Sequence, residues 1–123
     1  MSDMNSHGFE AVEAEIRREK AEALGRTGER LERILHEIQA FRRELVHLTS
    51  GRGGLKGAAR VWVECRVKLA EHDRLCDRAG YLRHCLIVQR EAMGLRRHDD
   101  VDRQYPMPAP LAVAGAIRRE DGQ

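Results

Sequence analysis

The sequence predicts an all-α protein built on a long antiparallel helical hairpin, with helices over about residues 8–48 and 55–97. Three observations predict it. Apolar residues recur every seven positions through both stretches. No alternating run of β-branched residues occurs, and no Asn-Gly or Asp-Gly turn joins such runs. One glycine-rich break, Thr49-Ser50-Gly51-Arg52-Gly53-Gly54, separates the two stretches.

The elements follow in order. Residues 1–7 read as a short frayed terminus. The first helix carries Leu24, Leu31, Ile38 and Leu45, interleaved with Ile34, Phe41 and Leu48. Each series repeats every seven residues, and together they form an a/d seam. Upstream, Phe9, Val12 and Ile16 make a stripe of their own. The step from Ile16 to Leu24 is out of phase with the seam, so packing loosens there. Gly25 and Gly28 follow, each costing a helix roughly 1 kcal/mol relative to Ala. A bend, or close approach by a partner, is expected near them.

Gly51 suits the left-handed conformation that ends a helix. The second seam is Trp62, Leu69 and Cys76, interleaved with Cys65, His72, Ala79, Leu86 and Met93. A short turn sets the register. Leu45 then falls near Ala58, Phe41 near Trp62, Ile38 near Cys65, Ile34 near Leu69 and Leu31 near His72. Gly28 falls level with Cys76.

Residues 1–98 thus form a hairpin domain, and residues 99–123 a C-terminal tail. The tail opens with acidic Asp99-Asp100-Val101-Asp102. Tyr105-Pro106-Met107-Pro108-Ala109-Pro110 is barred from helix and reads as extended. Leu111 to Ile117 is small and apolar. The tail either folds back on the hairpin or stays mobile; the alternative is a docking peptide for a partner with an aromatic groove.

An a/d seam satisfies one helix neighbour, and the second helix carries more. Val61, Val63, Val67, Leu75, Tyr81, Leu82, Ile87 and Val88 lie off its seam. On the first helix Leu35 and Val46 do the same to a lesser degree. A two-helix hairpin is marginal alone. Two hairpins are therefore expected to pair as a homodimer, a four-helix bundle with Val61, Val63, Val67, Leu75, Leu82, Ile87 and Val88 at the interface. The competing arrangement has the tail cover this surface within one chain.

Composition narrows the function classes. A chain of 123 residues is one domain in size, and 4% aromatic content excludes a bulky core. The net charge of +2 does not point to nucleic acid or an anionic membrane. No apolar run approaches the roughly 20 residues that span a bilayer. Three cysteines with no basic and apolar leader imply reduced thiols and a cytoplasmic setting.

Chemical constellations are sparse. Glu44-Leu45-Val46-His47 has the Glu-x-x-His spacing of helical di-metal centres, but such a centre needs two motifs and further inward carboxylates. His72 and Cys76, with Cys65 a heptad earlier, have zinc-ligand types, yet the facing Leu31, Thr27 and Gly28 offer only one weak hydroxyl. Cys85 adjoins His84, but neighbours in a helix point to different faces. Neither a P-loop nor G-x-S-x-G is present. On the second helix, with Lys56 counted to the turn, nine basic residues oppose five acids, and Arg66, Lys68, Arg74 and Arg78 make a candidate nucleic-acid stripe. Ion pairing along and between helices is the plainer use of these charges. The size and helix-turn-helix outline resemble secreted helical hairpins of the Trp-x-Gly type. Here, however, the turn holds no Trp, and Trp62 is followed by Val63-Glu64, so no function comes from that outline. The sequence thus points to a non-enzymatic oligomeric scaffold or adaptor that binds another protein and carries no cofactor. A nucleic-acid-associated protein and a metal-binding bundle are the alternatives.

Overall fold

The computed structural model describes residues 2–50 and 58–121, with side chains for residues 7–50 and 59–119. The elements are α1 (Ser2–Leu48), α2 (Ala58–Ala92), α3 (Asp99–Gln104) and α4 (Ala112–Asp121). The two long helices pack against each other, and α4 packs on α2. Among the described residues there is no strand.

Helix α1 starts at Ser2, not near residue 8, so the N-terminal residues extend the helix rather than fray from it. It ends where Thr49 and Ser50 turn their hydroxyls back: Thr49 Oγ1 donates to the Leu45 carbonyl at 2.7 Å and Ser50 Oγ to the His47 carbonyl at 2.7 Å. The same carbonyls accept from Thr49 N at 3.0 Å and Ser50 N at 3.3 Å, so the hydroxyls add a second donor to each at the helix end. The glycine turn and the expected first residues of the second helix lie outside the described residues.

Helix α2 stops at Ala92, five residues short of the expected end. Gly94 takes φ 86°, Leu95 N donates to the Arg90 carbonyl at 3.0 Å, and Gly94 N donates to the Glu91 carbonyl at 2.9 Å. That pair of bonds is a Schellman cap, and its left-handed residue favours glycine.

The heptad seam forms the core. Leu31, Ile38 and Leu45 are fully buried, as are Cys65 and Ala79, while Leu69, His72 and Leu86 are nearly so. The expected register, however, is wrong by about one heptad, some 10 Å along the axis. Leu45 clusters with Cys65 and Leu69 rather than reaching Ala58. Leu31 clusters with Ala79, Leu82 and Leu86 rather than His72. Glu44 meets Lys68 at 2.9 Å, consistent with the same slip. An a/d pattern maps onto itself when one helix slides by seven residues. Only the connection breaks that degeneracy, and residues 51–57 lie outside the described residues.

The tail closes over the hairpin and divides the core in two. Val101 of α3, Tyr105 and Met107 join Leu31, Ile38, Ala79, Leu82 and Leu86. Ala114 and Ile117 of α4 join Leu45, Cys65 and Leu69, with Leu111 and Val113 packed beside them. Arg83 donates from Nε and Nη2 to one oxygen of Asp102, at 3.1 and 2.8 Å, and so ties α3 to α2.

At Gly28 the tail comes close against α1. A Cβ built there would strike the Tyr105 hydroxyl and lie 3.3 Å from Cζ. The expected close approach near Gly28 is thus made by Tyr105, and Gly25 has open space around it. Gly28→Ala is expected to destabilise the chain despite a helix-propensity gain of up to about 1 kcal/mol, because the overlap costs about 1–3 kcal/mol. Adding Tyr105→Phe removes the clashing oxygen, so the double variant should regain stability in urea titration.

Candidate interaction surfaces

One polar side chain that the sequence singled out, His72, belongs to the contacts that hold the tail. His72 is buried on α2, with Nε2 accepting from Arg42 Nε at 3.1 Å and Nδ1 lying 3.1 Å from Asp73 Oδ1. Those contacts suit a neutral ring with its proton on Nδ1, because an accepting nitrogen must keep its lone pair. Arg42 also donates to the Ala109 carbonyl in the proline-containing segment. Asp73 receives Arg118 of α4 at 2.9 Å. One relay therefore links α1, α2, the extended segment and α4. Arg42 and Arg118 were not singled out from the sequence, since their role depends on where the tail returns.

This wiring also places the candidate metal ligands. Cys76 Sγ lies 3.7 Å from His72 Nε2, but that nitrogen already receives Arg42. Cys65 belongs to the core cluster around Leu45. Glu44 pairs with Lys68, and His47 is exposed beside it. Among the described residues no group of three His, Cys, Asp or Glu side chains converges as metal ligands would.

All three thiols are free. Burial pushes the Cys65 thiol above its ordinary value, with Glu64 adding to the effect. Burial likewise raises Cys76, against an opposing pull from Arg42. Tyr81 is raised by its hydrogen bond with Cys85. A nucleophilic cysteine needs the opposite, a thiolate stabilised near neutral pH. The shifts carry a sign for stability. Both thiols hold their protons longer folded than unfolded, so their contribution is complete below about pH 9 and declines as pH rises through the folded values. The urea midpoint is expected to fall as pH rises above about 9, and Cys76→Ala to flatten that fall.

The basic stripe is broken up by pairing. Lys68 is engaged by Glu44, Arg74 by Glu71 at 3.2 Å, and Arg78 lies over the Tyr81 ring at 6.0 Å. The Glu44 contact raises the Lys68 ammonium above its ordinary value.

What stays open is apolar. Of the seven residues expected at an oligomer interface, Leu82 lies in the chain's own core, and Val61, Leu75 and Ile87 are half-buried. Val63, Val67 and Val88 remain 52%, 66% and 50% exposed. Val67, Tyr81 and Val88 fall on one face of α2, with Arg74 between them at the same spacing. Val46 on α1 is also exposed, in a shallow groove with Arg42, Arg43, His47 and Ser50.

A second open surface lies at the start of α1. Lys20 Nζ reaches the Ala92 carbonyl at 3.5 Å, marking where α2 ends alongside α1. The helix before it projects as an arm of about 27 Å. Every side chain from His7 to Glu22 is exposed, and Phe9, Val12 and Ile16 are 65%, 57% and 45% exposed. The sequence showed this stripe and its break in phase, but not that α2 would end too early to cover it.

No protein-family model matches the chain, and no curated protein or solved structure shows significant similarity to it. The functional reading therefore stands on these surfaces. Among the described residues, no helix is long and apolar enough to cross a membrane.

Proposed function

We propose that the chain is a non-enzymatic, oligomeric helical scaffold that binds another protein, working in the cytoplasm with its thiols reduced. The observation that carries this reading is apolar helix surface left open on two separate elements after the tail has covered what it reaches. Such surface, spread along rods, suits helix-to-helix contact better than a small-molecule pocket. Val63, Val67 and Val88 are the open remnant of the surplus on α2, and Phe9, Val12 and Ile16 mark the arm of α1. The wiring of His72, Asp73 and Arg42 into tail docking supports a structural use of these polar groups.

Light scattering after gel filtration tests the proposal. The full chain, loaded at about 100 μM, should elute above the 14.0 kDa monomer mass. A monomer at that concentration would contradict the oligomeric part. For the protein-binding part, affinity capture from the native host should recover a partner that the Val63→Glu/Val67→Glu/Val88→Glu variant loses.

A further inference from the structure

We infer that the projecting arm of α1 is a self-recognition element that pairs, parallel and in register, with the same arm of a second copy. The inference rests on the oligomeric reading above and supplies its geometry.

Among the described residues nothing covers the arm. A helix of this length is marginal in water without a packed face, since most helical stability in proteins comes from packing. Its open residues have coiled-coil spacing: Phe9 and Ile16 at a, Val12 at d. The stripe ends on both sides. Glu19 takes the next d position, and the same face continues over the hairpin as Ala23, Arg26, Arg30 and Arg33. A second copy therefore gains three apolar layers along the arm and meets like charges beyond it. The eight residues from Ile16 to Leu24 turn the stripe by about 80° from the hairpin seam, so a partner lies beside α2 and does not compete with it.

Charge selects the occupant and its direction. In a parallel pair, g of one helix faces the following e of the other. Here g is Glu15 and e is Lys20, which gives an opposite-charge pair on each side of the symmetry axis. Arg18 of the same helix holds Glu15 Oε2, leaving Oε1 for a second cation. Gly8 faces Glu13 and Glu22 faces Thr27, so no like charges meet in the arm's flanking positions. The antiparallel alternative that keeps Val12 against Ile16 sets Glu13 against Glu13 and Glu15 against Glu15 of the other copy. It also moves Phe9 opposite Glu19. The parallel register is thus the one that joins all three apolar layers and satisfies the flanking charges.

Sedimentation equilibrium on the full chain tests this with substitutions at exposed positions, where the monomer fold is not at stake. Wild type should associate, and Phe9→Glu/Ile16→Glu should weaken association at least a hundredfold. Glu15→Lys should weaken it about tenfold, because two attractive pairs become repulsive. Glu15→Lys/Lys20→Glu should return it to within about threefold of wild type, because the swap restores both pairs. Association undiminished in Phe9→Glu/Ile16→Glu would overturn the arm as the contact while leaving the oligomeric reading standing. A swap that fails to rescue would overturn the parallel register. A wild-type chain that stays monomeric at about 100 μM would overturn both.

Discussion

Replacing Ile38 by alanine should cost about 2–5 kcal/mol of unfolding free energy. Ile38 has no exposed surface and sits among Leu31, Ala79, Leu82, Leu86 and Val101, which come from α1, α2 and α3. The loss combines the transfer energy of the removed methyl groups with the cavity they leave, and three elements frame that cavity. Small domains commonly hold about 5–15 kcal/mol in total, so a large share would go. Urea unfolding followed by circular dichroism should show a lower midpoint with an unchanged slope. A loss under about 1 kcal/mol would mean that the site is not packed in this way.

Ile117→Asp should release α4 from the hairpin. Ile117 is fully buried on a ten-residue helix, against the cluster of Leu45, Cys65, Leu69 and Ala114. A carboxylate there has no partner and must either reach water or become protonated, at a cost of several kcal/mol. Undocking α4 avoids much of that cost, giving up the packing of Ala114 and Val113, the Arg118 bond to Asp73 and the nearby Arg42 bond to Ala109. Trp62 is the only tryptophan and packs on the same cluster. Its fluorescence should shift to the red in Ile117→Asp before any loss of helical signal from α1 and α2. An unshifted spectrum with native helicity would show that α4 is not what covers Trp62.

These two positions show what the sequence made legible. Ile38 was visible as core because a side chain on a seven-residue series faces one neighbour, and Leu31 and Leu45 followed from the same spacing. Their partners were not visible, since a heptad pattern looks identical after a slip of seven and nothing in the seam itself states the slip. The end of α2 had a signal in Met93-Gly94-Leu95, a glycine followed by an apolar residue as a Schellman cap requires, but the seam was extended through it. Leu82 read as outward because it lies off the α2 seam. It is buried because Val101, Tyr105 and Met107 give α2 a second neighbour. Nothing in the spacing of a proline-containing tail states which helix face it returns to. The His72 relay was hidden for the same reason: His72 was legible as a core histidine, whereas its supports depend on the path of the tail.

The tail also changes what the surplus apolar surface of α2 means. Part of that surface is used within the chain, at Leu82, Leu75 and Val61. The remainder at Val63, Val67 and Val88 is interrupted by charged residues, while the arm of α1 presents three uninterrupted layers. The chain therefore has a tail-locked body and, on the proposed pairing, an arm whose order depends on a second copy.

Hydrogen exchange measured across protein concentration tests that division most directly. Amides of α1 from about Leu31 to Leu45 should be strongly protected at every concentration, because their helix is packed within one chain. Amides from about Phe9 to Glu19 should exchange quickly in dilute protein and gain protection as concentration rises, because on the proposed pairing their packing partner is a second copy. Protection of the arm that is already strong in dilute protein, or that never rises with concentration, would contradict the account.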